Sequence, residues 1–354
     1  MSNTELCSLQ WDTTAGAAAI IDQTLLPHTL RWCHLHTLQD YCHAISSMQV
    51  RGAPLIGITA AFGLAAVLAT DASTASLEQA SSALLATRPT AVNLGWALAQ
   101  VRREVSHLPA GDRAGAALAC ALRLREEDIA ACARIGDRGL ELLLALPARG
   151  PINIMTHCNA GWLATIQWGT ALAPIYKAQA QGIPVHVWVS ETRPRNQGAS
   201  LTAWELNRSG VPCTLVADNS SAELMRRGLV DCVLVGSDRT AANGDVCNKV
   251  GTALKAMACK QYGVPFYVAL PVSTIDTNCA SGEDIPIEER DALEVLTATG
   301  RDAANQSQEV SLAGEGTRAF NPAFDITPAD LVTALVTEQG VVPAGQAEIA
   351  GLFR

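Results

Sequence analysis

The 11 cysteines of this chain are odd in number and include no CxxC pair. With no signal peptide at the N-terminus, they read as reduced thiols, and a cytoplasmic location is expected. No apolar run approaches the roughly 20 residues that a membrane span requires, so no membrane partner is expected. Basic residues are in deficit, 25 against 34 acidic, for a net charge of −9. That excludes nucleic acid as a natural partner, because phosphate backbones attract basic surfaces. An anionic small molecule stays open, since its site needs only a few local cations. No G-x-G-x-x-G opens the strand-rich half, so a dinucleotide is not indicated. No internal repeat is present. His34, His36 and His43 fall loosely with Cys33 and Cys42, but the spacing fits no zinc pattern and a structural role is the simpler reading. No metal is expected.

What is present is a core-rich sequence of 354 residues, 49% hydrophobic and 17% charged. That is enough for two domains, or for one large α/β domain with an appendage. The chain is organised around residues 152–161, Ile-Asn-Ile-Met-Thr-His-Cys-Asn-Ala-Gly. An apolar run there predicts a buried strand, and the apolar-periodic segment 162–180 predicts a helix after it. Cys158 therefore falls at a strand-to-helix turn, on the edge where parallel sheets bind ligands. A helix N-terminus beside a thiol favours its thiolate.

Around residues 20–27 the pattern predicts strand, turn and strand. From Thr37 to about residue 145, Ala- and Leu-rich helical periodicity covers 56–70, 77–86, 94–106 and 114–146, with breaks at Arg88-Pro89 and Leu108-Pro109. From Pro151, short apolar runs at 152–155, 185–189, 213–217, 230–235 and 266–270 alternate with helical segments at 162–180, 200–209, 222–227 and 246–262. That alternation predicts a parallel, doubly wound sheet. Residues 278–320 read as loop, and 328–338 as a last amphipathic helix covering the sheet.

Four further stretches carry chemistry. Arg51-Gly52-Ala53-Pro54-Leu55-Ile56-Gly57 precedes a helix start, where backbone N–H groups and a guanidinium suit an anion; a loop with a solvated Arg is an equal reading. Arg88-Pro89-Thr90-Ala91-Val92-Asn93-Leu94 fits a helix boundary, with Arg88 a second candidate anion contact. Glu191-Thr192-Arg193-Pro194-Arg195-Asn196-Gln197-Gly198 follows a strand and offers the Gln197 amide to a ligand, its arginines being solvated or paired with Glu191. Asp238 follows an apolar strand, where partial desolvation raises a carboxyl pKa and suits it to carry a proton. On position alone, a capping or Arg-paired aspartate is the simpler reading of Asp238. Beyond the Asn243-Gly244-Asp245 turn, Asn248 and Lys249 are expected to open a helix from which a lysine reaches a phosphate. Asp218 reads as an N-cap with a mainly structural role.

These residues together resemble the S-methyl-5-thioribose-1-phosphate isomerases. That family also includes the alpha, beta and delta subunits of eukaryotic translation initiation factor 2B and an archaeal ribose-1,5-bisphosphate isomerase. The resemblance runs through Ile21-Asp22-Gln23-Thr24-Leu25-Leu26-Pro27 and through residues 51–57, 88–94, 156–161, 191–206, 236–252 and 321–331. Its most specific blocks are Cys-Asn-Ala-Gly at 158–161 and Ala-Ala-Asn-Gly-Asp at 241–245. It implies an α/β chain with a small N-terminal β region (1–35), a helical domain (36–147) and a Rossmann-like catalytic domain (148–354), assembled as a homodimer. It implies Cys158 as the catalytic cysteine and Asp238 as proton donor. Arg51, Gly52, Ala53, Arg88, Gln197, Asn248 and Lys249 become substrate contacts. The implied reaction is aldose–ketose isomerisation of a 1-phosphorylated methylthioribose in methionine salvage, with no cofactor. The alternatives are a related 1-phosphorylated pentose, 5-deoxyribose 1-phosphate or ribose 1,5-bisphosphate, or a non-catalytic regulatory subunit. Two departures, Arg195-Asn196 where many members carry apolar residues and His157 before the cysteine, lie beside the site and bear on sugar specificity.

Overall fold

The computed structural model describes residues 6–88, 91–147 and 150–353. The Pro89-Thr90 stretch and the expected domain boundary at residues 147/148 lie at or outside the edges of these segments. Strands β1 (Leu9–Asp12), β2 (Ala17–Ile21) and β3 (Trp32–Leu35) form an antiparallel three-stranded sheet. After β2 the chain makes a single 3-10 turn at Gln23–Leu25, capped by the Asp22 carboxylate, in place of the second strand that the pattern predicts.

Five helices come next: α1 (Leu38–Ser46), α2 (Ala53–Thr70), α3 (Thr74–Thr87), α4 (Val92–Val105) and α5 (Ala110–Leu144). Thr37 and Asp40 close a capping box on α1, and Ser73 caps α3. Helix α2 is apolar on every face, and α1, α3, α4 and α5 pack around it. The expectation of no spanning-length apolar run is corrected here. Ala53–Thr70 is an 18-residue helix of mean hydropathy 1.9, long and apolar enough to cross a membrane, and 72% of it is buried within this fold. Helix α5 serves two cores. Its buried residues up to Leu124 join the helical core around α2, and those from Ile135 onward join the core under the main sheet.

Beyond Pro151 the chain runs β4 (Ile152–Thr156), α6 (Ala173–Ala180), β5 (Val185–Ser190), α7 (Ala203–Arg208), β6 (Cys213–Val216), α8 (Ser221–Arg226) and β7 (Cys232–Val235). It continues through β8 (Arg239–Ala241), β9 (Val246–Lys249), α9 (Thr252–Tyr262), β10 (Phe266–Ala269) and β11 (Ile275–Asp276). The last elements are α10 (Leu293–Leu296), β12 (Thr297–Arg301), β13 (Ser307–Ser311), β14 (Phe324–Thr327), β15 (Ala334–Val336), β16 (Val341–Val342) and α11 (Gln346–Gly351). The main sheet has the order β16-β15-β10-β7-β4-β5-β6, parallel except for the β15–β16 pair. Successive strand residues face opposite sides. Ile152, Ile154, Cys232 and Leu234 meet α5, α6 and α7, while Met155, Val233 and Val235 meet α8, α9 and α11. Both faces are thus covered, which is why these strands read as unbroken apolar runs.

Four sequence expectations fail, each for a tertiary reason. Residues 162–180 are not one helix: a 3-10 turn at Trp162–Ala164 gives way to irregular chain, with Trp168 and Gly169 at positive φ, before α6 begins. Residues 246–249 are strand, not helix, because β9 pairs with β8 and with the distant β14 in a second sheet of order β11-β8-β9-β14. Residues 328–338 form no helix; after a 3-10 turn at Ala329–Leu331 the buried strand β15 pairs with β10. The expected loop at 278–320 contains α10 and the exposed hairpin β12–β13.

Candidate active site

The carboxyl ends of the parallel strands deliver the chemistry to one edge. Cys158 follows β4, the 191–197 loop follows β5, Asp218 follows β6 and Asp238 follows β7. Cys158 sits at φ +60, a left-handed conformation uncommon outside glycine. Its N–H donates to Thr192 Oγ1 at 2.8 Å, and its carbonyl accepts from Thr202 Oγ1 at 2.6 Å. Thr192 is itself a buried, β-branched residue at φ +68. Asp218 holds that loop by accepting from the N–H groups of Thr192 (2.8 Å) and Arg193 (2.7 Å). Asp218 is therefore a staple across two loops, and its side chain caps no helix. The expected helix dipole behind Cys158 is also absent, because the next element is only a three-residue 3-10 turn. Burial pushes the Cys158 thiol above its usual range, Asp238 adds to this, and Arg51 and Lys249 pull the other way.

All nine residues singled out from the sequence line one cavity: Arg51, Gly52, Ala53, Arg88, Cys158, Gln197, Asp238, Asn248 and Lys249. Arg51, Gly52 and Ala53 lie at the start of α2, whose positive dipole end and N–H groups suit an anion. Gly52 has φ +92, and a Cβ there would stand 2.4 Å from the Ala164 carbonyl oxygen, so only glycine lets the two segments approach. Asn248 and Lys249 reach the cavity from the end of β9, before the turn at Gly251 that starts α9. Gln197 is buried, and its Oε1 accepts no hydrogen bond among the described residues, leaving an acceptor for a hydroxyl. Sequence reasoning misses Asn159 and Arg290 as lining residues, and it reads Arg195 only as solvated, as paired with Glu191, or as a departure from the family pattern. The Asn159 block is visible in the sequence; nothing local marks Arg290, which a long loop returns to the site.

Charge sorts the lining. Arg88 pairs with Glu288 at 3.4 Å, Arg195 with Glu294 at 2.8 Å, and Arg290 with both at 2.8 and 2.9 Å. The pairing of Arg193 or Arg195 with Glu191 does not form; Arg193 instead donates to the Val295 carbonyl at 2.8 Å. Arg51 and Lys249 have no carboxylate partner among the described residues. Arg51 is gripped by neutral Asn159, at 2.5 Å to Oδ1 and 2.6 Å to the main-chain oxygen. Lys249 is buried 6.0 Å from the Phe324 ring centroid, and burial pushes its pKa below the usual lysine range. Asp238 has no side-chain hydrogen bond or ion pair among the described residues; only its N–H is engaged, to the Cys247 carbonyl at 3.0 Å. It is neither a cap nor Arg-paired. Burial raises its pKa, against the field of Arg51, Arg88 and Lys249.

The model of the Initiation factor 2 subunit family matches residues 49–344, which span this cavity. The chain belongs to that family. Among its curated relatives, the methylthioribose-1-phosphate isomerase of Rhodospirillum rubrum is 55% identical over 347 residues, covering 96% of this chain and 89% of the relative. The protein of the same name from Methylorubrum populi is 54% identical, covering 96% and 93%. The crystal structure of 5-methylthioribose 1-phosphate isomerase from Pyrococcus horikoshii superposes with a TM-score of 0.85 at 36% identity, covering 100% of this chain and 98% of that one. Translation initiation factor eIF-2B subunit delta from A. fulgidus, a second solved structure, is similar at a TM-score of 0.81 and 34% identity, covering 98% and 99%. One fold in this family thus carries both names, and the side chains in the cavity must separate them.

Proposed function

We propose that this chain is an aldose–ketose isomerase that converts 5-methylthioribose 1-phosphate to 5-methylthioribulose 1-phosphate in methionine salvage. The observation that carries this reading is the pairing of opposites in one cavity. Two cations without carboxylate partners among the described residues, Arg51 and Lys249, face the same space as Asp238, a half-buried carboxyl without a hydrogen-bond partner among them. The cations match the roughly −2 charge of a phosphate monoester. The carboxyl's pKa is raised by burial, which favours the protonated form that a proton donor needs. The isomerase name borne by relatives above 50% identity supports the same reading.

The chemistry explains why both are needed. The anomeric oxygen carries the phosphate, so the ring cannot open by losing an anomeric hydroxyl proton. The bond from C1 to the ring oxygen must break with the phosphate in place, and Asp238 gives the ring oxygen its proton. Hydrogen then moves from C2 to C1, and the C2 hydroxyl gives up its proton, which replaces the one Asp238 donated. C2 ends oxidised to the ketone, C1 reduced and the enzyme unchanged. Cys158 either takes the C2 proton and returns one to C1, or stabilises charge while a hydride shifts directly. Neither route calls for a metal or nucleotide. Arg51, the Gly52–Ala53 backbone and Lys249 hold the phosphate; Arg88, Gln197 and Asn248 contact the sugar. A regulatory subunit would need neither Cys158 nor Asp238, which argues against that alternative.

On this reading the parallel sheet with helices on both faces is Rossmann-like. A β region at 1–35 and a helical domain at 36–147 precede the catalytic domain at 148–354, although α5 contributes to the cores on both sides of that boundary. The active assembly is a homodimer. Eleven unpaired cysteines fit the reducing cytoplasm. The test is a panel of 1-phosphorylated pentoses with the product identified. Ketose from the methylthio sugar at the highest kcat/KM is expected. Preference for ribose 1,5-bisphosphate would reassign the substrate, and turnover of none would favour the regulatory role.

A further inference from the structure

Behind the phosphate-binding arginine lies a carboxylate that the reaction does not use. Glu205, on α7, is fully buried, and it makes no ion pair among the described residues. Its Oε1 accepts from Asn159 Nδ2 at 2.7 Å and from Leu163 N–H at 3.2 Å. Its Oε2 accepts from Trp162 N–H and from the Tyr176 hydroxyl, each at 2.9 Å. Gly161 lies so close that a Cβ there would fall 2.0 Å from Oε2, so the glycine of the Cys-Asn-Ala-Gly turn makes room for this carboxylate. Burial pushes the Glu205 carboxyl up to about 7, while Asn159, Tyr176 and Leu163 favour the anion. With three N–H donors and a tyrosine hydroxyl turned on it, the carboxylate is the form in which all four of these hydrogen bonds are made.

The direction of the chain of hydrogen bonds is fixed by donor and acceptor types. The Arg51 guanidinium can only donate, so Asn159 must turn its Oδ1 and main-chain oxygen toward it. That turns the Asn159 NH2 away from the cavity, where it needs acceptors. Glu205 Oε1 and Thr202 Oγ1 supply them, at 2.7 and 3.2 Å. We propose that Glu205 is a positioning residue for the phosphate site: it locks the Asn159 amide so that the Arg51 guanidinium is held against the cavity. The proposal rests on the reading above, that Arg51 meets the phosphate.

A glutamine at 205 would set an NH2 against a donor either way round, against Asn159 Nδ2 and Leu163 N–H or against Trp162 N–H, and in both cases Asn159 loses its charged acceptor. With the NH2 toward Asn159 its amide loses its fixed direction, and with the oxygen toward it the hydrogen bond that fixes that direction loses its charge. For Glu205→Gln, KM for the sugar phosphate and the Kd of inorganic phosphate by calorimetry are both expected to rise in parallel, by about ten- to a hundredfold, as for loss of a charge-assisted hydrogen bond. kcat should stay within about threefold, since neither Cys158 nor Asp238 is touched. Tyr176→Phe removes a donor from the other oxygen of the same carboxylate. It should lower Tm yet leave KM and phosphate affinity within about twofold. If Glu205→Gln does not fold, Asn159→Ala reaches the same guanidinium from the cavity side and should show the same parallel rise. Parent-like phosphate affinity in the folded variant overturns the proposal, as does an equal KM rise in Tyr176→Phe. Arg51→Ala, measured alongside, separates the failures. If it leaves phosphate affinity unchanged, the phosphate reading itself is wrong. If it weakens phosphate while Glu205→Gln does not, only the positioning role falls.

Discussion

Asp238→Asn isolates the proton from everything else the residue does. The substitution keeps size and shape and removes the transferable proton. Loss of a general acid costs about 10²–10⁴-fold in turnover, equivalent to about 3–5 kcal/mol of barrier. Stability should move the other way. The carboxyl has no side-chain hydrogen bond to lose, and burial holds its pKa above the ordinary 3.8. A raised carboxyl pKa means that the folded state keeps a proton the unfolded chain has released. Stability therefore falls as pH rises from the ordinary carboxylate range through the raised folded value. Above that value the ionised group is a fixed cost. Asparagine removes the cost, so at pH 7 the variant should melt at or above the parent temperature. Below pH 3.8 the two should converge. Binding should survive, because Arg51 and Lys249 remain. The assay measures three quantities on one preparation: ketose formation, binding of the sugar phosphate by calorimetry, and Tm at pH 4 and pH 7. Turnover within about tenfold of the parent would remove Asp238 from the chemistry. Lost binding together with a lowered Tm would show that Asp238 supports the fold through contacts absent from this structure.

Cys158→Ser should cut turnover by orders of magnitude with the fold retained, since a hydroxyl is a far poorer base than a thiolate; near-normal rates of ketose formation would clear the cysteine. Arg51→Ala should raise KM and weaken competitive inhibition by phosphate together, whereas unchanged inhibition would put the phosphate elsewhere. Gly52→Ala should destabilise by at least about 1–3 kcal/mol, the usual cost of a strained backbone, before the clash with the Ala164 carbonyl is counted. A denaturant midpoint matching the parent would mean that the segment can shift at no cost.

The sequence by itself determined the elements whose signals are local. Continuous apolar runs revealed strands β4, β7 and β10, because a sheet buried on both faces leaves no alternation to read, and short apolar runs also marked β5 and the exposed edge strand β6. The strand-to-turn position of Cys158 and the glycine before α2 were legible, as were the nine lining residues, through the stretches that carry the family resemblance. Tertiary structure decided the rest. Residues 246–249 are strand because Phe324–Thr327 comes back to pair with them, and 334–336 are strand because β10 offers an edge. Neither partner is visible in a local window. Asp238 resembled a cap or an ion-pair partner until the fold left it half-buried, with neither role among the described residues. Asn159, Arg290 and Glu205 acquire their parts only when α2, the turn after β4, the 288–294 loop and α7 converge. Hydrogen-bond direction and desolvation belong to that convergence, and no stretch of sequence contains it.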